Sequence, residues 1–124
     1  MATTLYEEIG GEEKIRRLVT SFYQHVLADP ILQPFFDGVS IKKLENMQIA
    51  FFSAALGNAE NTDDFDLYQA HAHLNLNIEH LTRFTNHLLS TLKEIGIEEE
   101  RCNRIYERIA TYSNDILGES SVDG

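Results

Sequence analysis

The chain has 124 residues, 43% of them hydrophobic, with seven Phe and five Tyr, which is enough apolar mass for one packed domain and excludes a disordered segment. Its formal net charge of −10 excludes nucleic acid and anionic membrane surfaces as partners, because both would repel it. A single cysteine, Cys102, excludes an internal disulfide framework and a cysteine-built metal cluster.

The hydrophobic pattern is helical throughout, without strand alternation. Thr4 and Glu7 form a Thr-x-x-Glu capping box that starts a short helix, and Gly10-Gly11 stops it. A second helix is expected from about Glu12 to Ala28, with Ile15, Leu18, Val19, Phe22, Tyr23, Val26 and Leu27 on its buried face. Asp29-Pro30 ends it, since the residue before proline avoids helical geometry. From Pro30 to Phe36 there is room for only a turn or two, closed by Asp37-Gly38.

Ser40 then caps a third helix running to about Leu56, with Gly57 as its stop. Asn58 to Asp66 is polar and acidic and reads as a loop. A fourth helix begins near Asn77 or Ile78 and carries Leu81, Phe84, Leu88, Leu92 and Ile95 before Gly96. A fifth, from about Glu98 to Leu117, places Cys102, Ile105, Tyr106, Ile109, Ser113 and Ile116 on one side. The expected organisation is one all-α domain over residues 1–118, followed by a frayed tail over 119–124.

The third helix is the most informative segment. Its apolar stripe is Leu44, Met47, Phe51, Phe52 and Ala55, and Gln48 falls near the middle of it. A primary amide inside an apolar face costs about 1–3 kcal/mol unless it finds a partner. That partner is a backbone group, a buried water, another side chain or a ligand. Tyr23, on the flank of the second helix, poses the same question for its hydroxyl.

Phe35-Phe36 form a stiff aromatic pair in a short corner, as core packing or as the wall of a site. Lys42 and Lys43 are either a solvated face or a hold for anionic groups of a ligand. His71 and His73 lie between the acidic loop and the fourth helix. An imidazole at His71 is either solvated and hydrogen-bonded or, if it faces a helix-walled apolar cavity, a ligand for a haem iron. His25, His80 and His87 fall off the centres of their helical stripes and read as surface residues. There is no glycine-rich phosphate loop and no nucleophile–histidine–acid arrangement.

Several segments together carry a likeness. They are Leu5-Tyr6-Glu7-Glu8-Ile9-Gly10-Gly11; Phe22-Tyr23 with Val26-Leu27-Ala28-Asp29 and Pro34-Phe35-Phe36; Leu44, Gln48 and Phe51-Phe52-Ser53-Ala54-Ala55-Leu56; and Ala70-His71 with Leu74 and His80-Leu81. From about Leu5 to Ile116 the chain resembles a truncated haemoglobin of the first group. The resemblance implies a two-over-two helical sandwich around haem b, iron protoporphyrin IX. It makes His71 the proximal ligand of the iron, sets Phe36 against the porphyrin face, and makes Tyr23 and Gln48 the distal pair that hydrogen-bonds the bound gas. Phe35, Lys43, Leu44, Met47, Phe52, Leu76, Leu81 and Phe84 would line the cofactor. Gly57-Asn58 stands where the family has a glycine pair, and Leu81 where phenylalanine is common. Met47 occupies a position where relatives often carry lysine or histidine, so no histidine sixth ligand is expected.

The implied function is reversible binding of O2, NO and CO, with dioxygenation of nitric oxide to nitrate as its chemistry. Turnover needs an electron, and the chain carries no flavin or nicotinamide motif, so a separate reductase is implied. A haem-based gas or redox sensor, an O2 carrier without turnover, and a haem-free helical interaction module are the alternatives. No stretch approaches membrane-spanning length, and the acidic start lacks a signal-peptide pattern, so a cytoplasmic location is expected.

Overall fold

The structure is a computed structural model that describes residues 4–57 and 74–112. Among these residues every regular element is helical. Helix α1 (Leu5–Ile9) starts on the expected capping box: the Glu7 amide donates to Thr4 Oγ1 at 3.2 Å, and the Thr4 amide donates to Glu7 Oε1 at 3.1 Å. Gly10 ends it with φ +118°, a left-handed conformation that a side chain would strain, and helix α2 (Gly11–Leu27) begins immediately afterwards. The glycine pair is therefore a corner between two helices, with no loop.

Helix α2 buries Ile15, Leu18, Val19, Phe22, Tyr23 and Val26, the three-and-four spacing of its sequence. Fully burying each of the aliphatic residues contributes about 1.5–3 kcal/mol. The chain then turns through Asp29-Pro30 into a single 3-10 turn, Gln33–Phe36, which holds Phe35 and Phe36.

Helix α3 (Ile41–Gly57) buries Phe51, Phe52, Ala55 and Leu56. The expected stripe is corrected at one position, since Met47 is 58% exposed. At 100° per residue it lies roughly 110° from the centre of the buried arc, on the helix flank. Helix α4 (Ile78–Glu94) opens on a second reciprocal cap, in which the His80 amide donates to Asn77 Oδ1 at 2.9 Å and the Asn77 amide donates to His80 Nδ1 at 3.1 Å. His80 also meets the Phe35 ring edge-on at 4.9 Å. His80 stays at the surface end of α4, with its ring fixed there by the cap and an aromatic neighbour.

Helix α5 (Glu99–Ala110) buries Cys102 and Ile105, with Ile109 packed against the core. Tyr106 is corrected from the buried stripe to the surface at 39% exposure, because it sits roughly 70° off the centre of the Cys102–Ile105–Ile109 face. The expected continuation through Ser113 and Ile116, and the tail, lie outside the described residues.

Helix α2 packs against α3 and against α4, while α5 packs against α4 and α3, giving a two-over-two sandwich. Its core is one continuous cluster that includes Ile15, Leu18, Val19, Val26, Leu32, Leu56, Leu92 and Ile105. The short α1 is tied to α5 by Arg101 Nε and Arg104 Nη1, which donate to Glu8 Oε1 at 3.2 and 3.1 Å. Arg108 Nε caps the end of α3 by donating to the Ala55 carbonyl at 3.0 Å.

Candidate functional site

Four aromatic rings close a circuit on one side of the core. Phe22 and Tyr23, adjacent on α2, meet edge-on at 5.2 Å. Tyr23 meets Phe36 of the 3-10 turn at 5.8 Å, Phe36 meets Phe84 of α4 at 6.3 Å, and Phe84 returns to Phe22 at 6.4 Å. Edge-on pairs set the positive rim of one ring against the negative face of the next, at about 0.5–1.5 kcal/mol each beyond their buried area. Sequence reasoning marked Tyr23, Phe36 and Phe84 but passed over Phe22. Its signal was the Phe22-Tyr23 pair, which places two large rings about 100° apart on one helix.

Within this circuit Tyr23 is 5% exposed, and no described residue hydrogen-bonds its hydroxyl. No described side-chain polar atom is both completely buried and without a partner, so the hydroxyl faces accessible space. Burial pushes its pKa well above the usual phenol range, and the nearby Glu45 carboxylate pushes it the same way. The group is a proton-bearing donor at any ordinary pH. Glu45, three residues before Gln48 on α3, was not singled out from sequence.

Gln48 is half-buried on α3, and no described residue hydrogen-bonds its amide. The backbone partner that a purely structural glutamine would use is absent among the described residues. Leu44 is half-buried and packs against the core, Phe52 is buried within it, and Phe35 packs on it from the corner. Leu76 and Leu81 are half-buried, while Lys43 and Met47 are exposed. His71 and His73, and the acidic stretch of sequence before them, lie outside the described residues.

The described protein thus leaves two polar groups unmet, the phenol of Tyr23 within the aromatic circuit and the half-buried amide of Gln48 on α3. Residues 4–117 match the bacterial-like globin family model. The chain belongs to that family. It is 32% identical to the group 1 truncated haemoglobin of Mycolicibacterium paratuberculosis, over 91% of this chain and 83% of that protein. It is 36% identical to the group 1 truncated haemoglobin of a Synechocystis species, over 79% of this chain and 82% of that one. Among solved structures, the Fe(III) form of truncated haemoglobin from Tetrahymena pyriformis superposes with a TM-score of 0.86 at 30% identity, covering 93% of this chain and 98% of that one.

Globins bind haem and, through it, diatomic gases such as O2, and this chain is one of them. The residues fit the group. Haem is a flat, largely apolar plate whose bound gas gains from a hydrogen-bond donor held in a dry pocket. The aromatic circuit is apolar, and the Tyr23 hydroxyl within it is a protonated donor without a described partner.

Proposed function

We propose that this globin binds haem b, with His71 as the proximal ligand of the iron and Tyr23 and Gln48 on the distal side. The observation that carries the reading is Tyr23, a residue buried in the aromatic circuit whose hydroxyl holds its proton firmly, meets no described hydrogen-bond partner and keeps access to open space. Phe35, Phe36, Leu44, Phe52, Leu76, Leu81 and Phe84 would grip the porphyrin, with Met47 at its edge and Lys43 reaching its carboxylates. When bound, haem supplies the iron that takes up O2 and the redox change of its reaction with nitric oxide.

The chain's own residues do the rest. Tyr23 donates its hydroxyl proton in a hydrogen bond to the partly negative gas, and burial keeps that proton from being lost. Gln48 brings a second donor from α3 and orients the phenol. Phe22 and Phe36 confine the Tyr23 ring, Phe84 backs both of them, and this apolar wall strengthens each hydrogen bond made beside it. A tightly held, shielded O2 suits attack by nitric oxide. The net reaction joins O2, NO and one electron to give nitrate, and the electron comes from a separate cytoplasmic reductase.

Purified protein reconstituted with haem is mixed with O2 and then with nitric oxide, with and without a ferredoxin or flavin reductase. Nitrate formed in one-to-one proportion with NO, and repeated turnover only with the reductase, is the expected result. Slow autoxidation with no stimulation by any reductase would replace this reading with a sensor or a carrier.

A further inference from the structure

The corner that delivers Phe36 is held by a buried carboxylate. Asp29, only 6% exposed, lies two residues past the end of α2. It accepts the Ile31 amide at 2.9 Å on Oδ1, and its backbone carbonyl accepts the Leu32 and Gln33 amides at 3.1 and 2.8 Å. The start of the 3-10 turn therefore hangs from this one residue.

From α4, Arg83 closes on the same carboxylate with a two-pronged fork, Nε donating to Oδ2 and Nη2 to Oδ1, both at 3.1 Å. His87, one turn further along α4, donates from Nε2 to Oδ2 at 2.8 Å. Its surface reading is corrected, because its ring points at Asp29 and stacks on His25 at 6.3 Å. Arg83 is the sequence neighbour of Phe84, and Phe84 and Phe36 are the two rings that meet across this gap. The polar clasp and the aromatic contact thus join the same two elements, one residue apart on α4.

We infer that Arg83 and Asp29 are positioning residues for the gas site: their bidentate clasp fixes the 29–36 corner to α4 and so sets where Phe36 holds the Tyr23 ring. This rests on the proposed role of Tyr23 and goes beyond it, because neither Asp29 nor Arg83 touches that ring. A planar fork fixes direction as well as distance, which a lysine at the same position cannot do. A displacement of a few tenths of an ångström at Phe36 would change the angle at which the Tyr23 hydroxyl meets the gas, and hydrogen bonds are steeply angle-dependent.

The test uses the haem-loaded protein and Arg83→Lys, which keeps the charge and removes the fork. O2 and CO dissociation rates are measured in the Tyr23 and Tyr23→Phe backgrounds, beside thermal unfolding and nuclear Overhauser contacts between the Tyr23 and Phe36 rings. Arg83→Lys is expected to raise O2 release relative to CO release about three- to tenfold, to weaken the ring contacts, and to lose its kinetic effect when Tyr23 is already Phe. Should that variant fail to fold, Arg83→Gln, which retains a donor but not the fork, carries the same expectation. An unchanged ratio, or an equal change in the Tyr23→Phe background, overturns the inference. If Tyr23→Phe alone leaves the ratio unchanged, the distal role of Tyr23 falls and this inference falls with it. If Tyr23→Phe alters the ratio and Arg83→Lys does not, only the inference falls.

Discussion

The Tyr23 and Phe36 rings meet edge-on, with centroids 5.8 Å apart and planes at 79°. The contact crosses from the last turns of α2 to the end of the corner that follows it, so the phenol ring is braced by Phe36 as well as by Phe22. A ring confined between two edge-on neighbours has little room to rotate, and its hydroxyl direction is set before any gas arrives. Preorganisation of this kind makes one hydrogen bond worth more than a mobile donor would supply.

Removing that donor gives the most direct prediction. Tyr23→Phe leaves the ring contacts intact and is expected to speed O2 release far more than CO release, because bound O2 carries more negative charge. Losing one hydrogen bond of about 1.5–3 kcal/mol to a charge-bearing partner corresponds to roughly 10- to 150-fold. Stopped-flow displacement of each gas checks it, and equal effects on the two gases would remove Tyr23 from the distal role.

Gln48→Leu is expected to act in the same direction but less strongly. If the amide mainly orients the phenol, the double variant with Tyr23→Phe releases O2 little faster than Tyr23→Phe alone, since the two groups form one network. Fully additive effects would show instead that Gln48 meets the gas independently.

The Tyr23 phenol carries a pH prediction. Burial, reinforced by Glu45, raises its pKa above the unfolded value, so its contribution to stability is full below about pH 10 and is lost as the pH rises from there toward the folded value. Ultraviolet titration of the folded protein is expected to show a late phenolic step above the usual tyrosine range, and Tyr23→Phe is expected to abolish that step. A late step that survives the substitution would assign it to another tyrosine.

Asp29 behaves in the opposite sense. Hydrogen bonds from Arg83 and His87 hold its carboxyl well below the usual carboxylate range. A depressed folded-state pKa contributes stability that is present above the unfolded value of about 3.9 and is lost as the pH falls from there through the folded value. Urea midpoints measured from pH 7 down to pH 2 are expected to show a gap between the native protein and Asp29→Asn that narrows as the pH drops through the carboxylate range. A gap of constant size would mean that the clasp is not titrating.

His71→Ala is expected to abolish stable haem binding or leave a loosely held, spectrally altered haem, and His73→Ala to leave it unchanged. The motive is the match of Ala70-His71 to the family's proximal segment. Absorption spectra in the ferric, ferrous and ferrous-CO states decide it. The reverse pattern would move the ligand to His73.

Much of the architecture was legible in the sequence because it is locally encoded. The Thr4–Glu7 box, the Gly10 corner, the Asp29-Pro30 break and the three-and-four spacing on α2 each depend on residues within one or two turns, and each forms as written. Tyr23 and Gln48 stood out for the same reason, as polar groups breaking an apolar period. Periodicity names a face but not its width or the element that meets it. Met47 and Tyr106 therefore looked like core and lie on flanks, turned away from the centre of the buried arc. The clasp of Asp29 by Arg83 joins residues 54 apart, and the circuit of Phe22, Tyr23, Phe36 and Phe84 draws on three separate elements. Those pairings follow from how α2, the corner and α4 cross, which is set by the packing of whole faces and has no signature in any one stretch of chain.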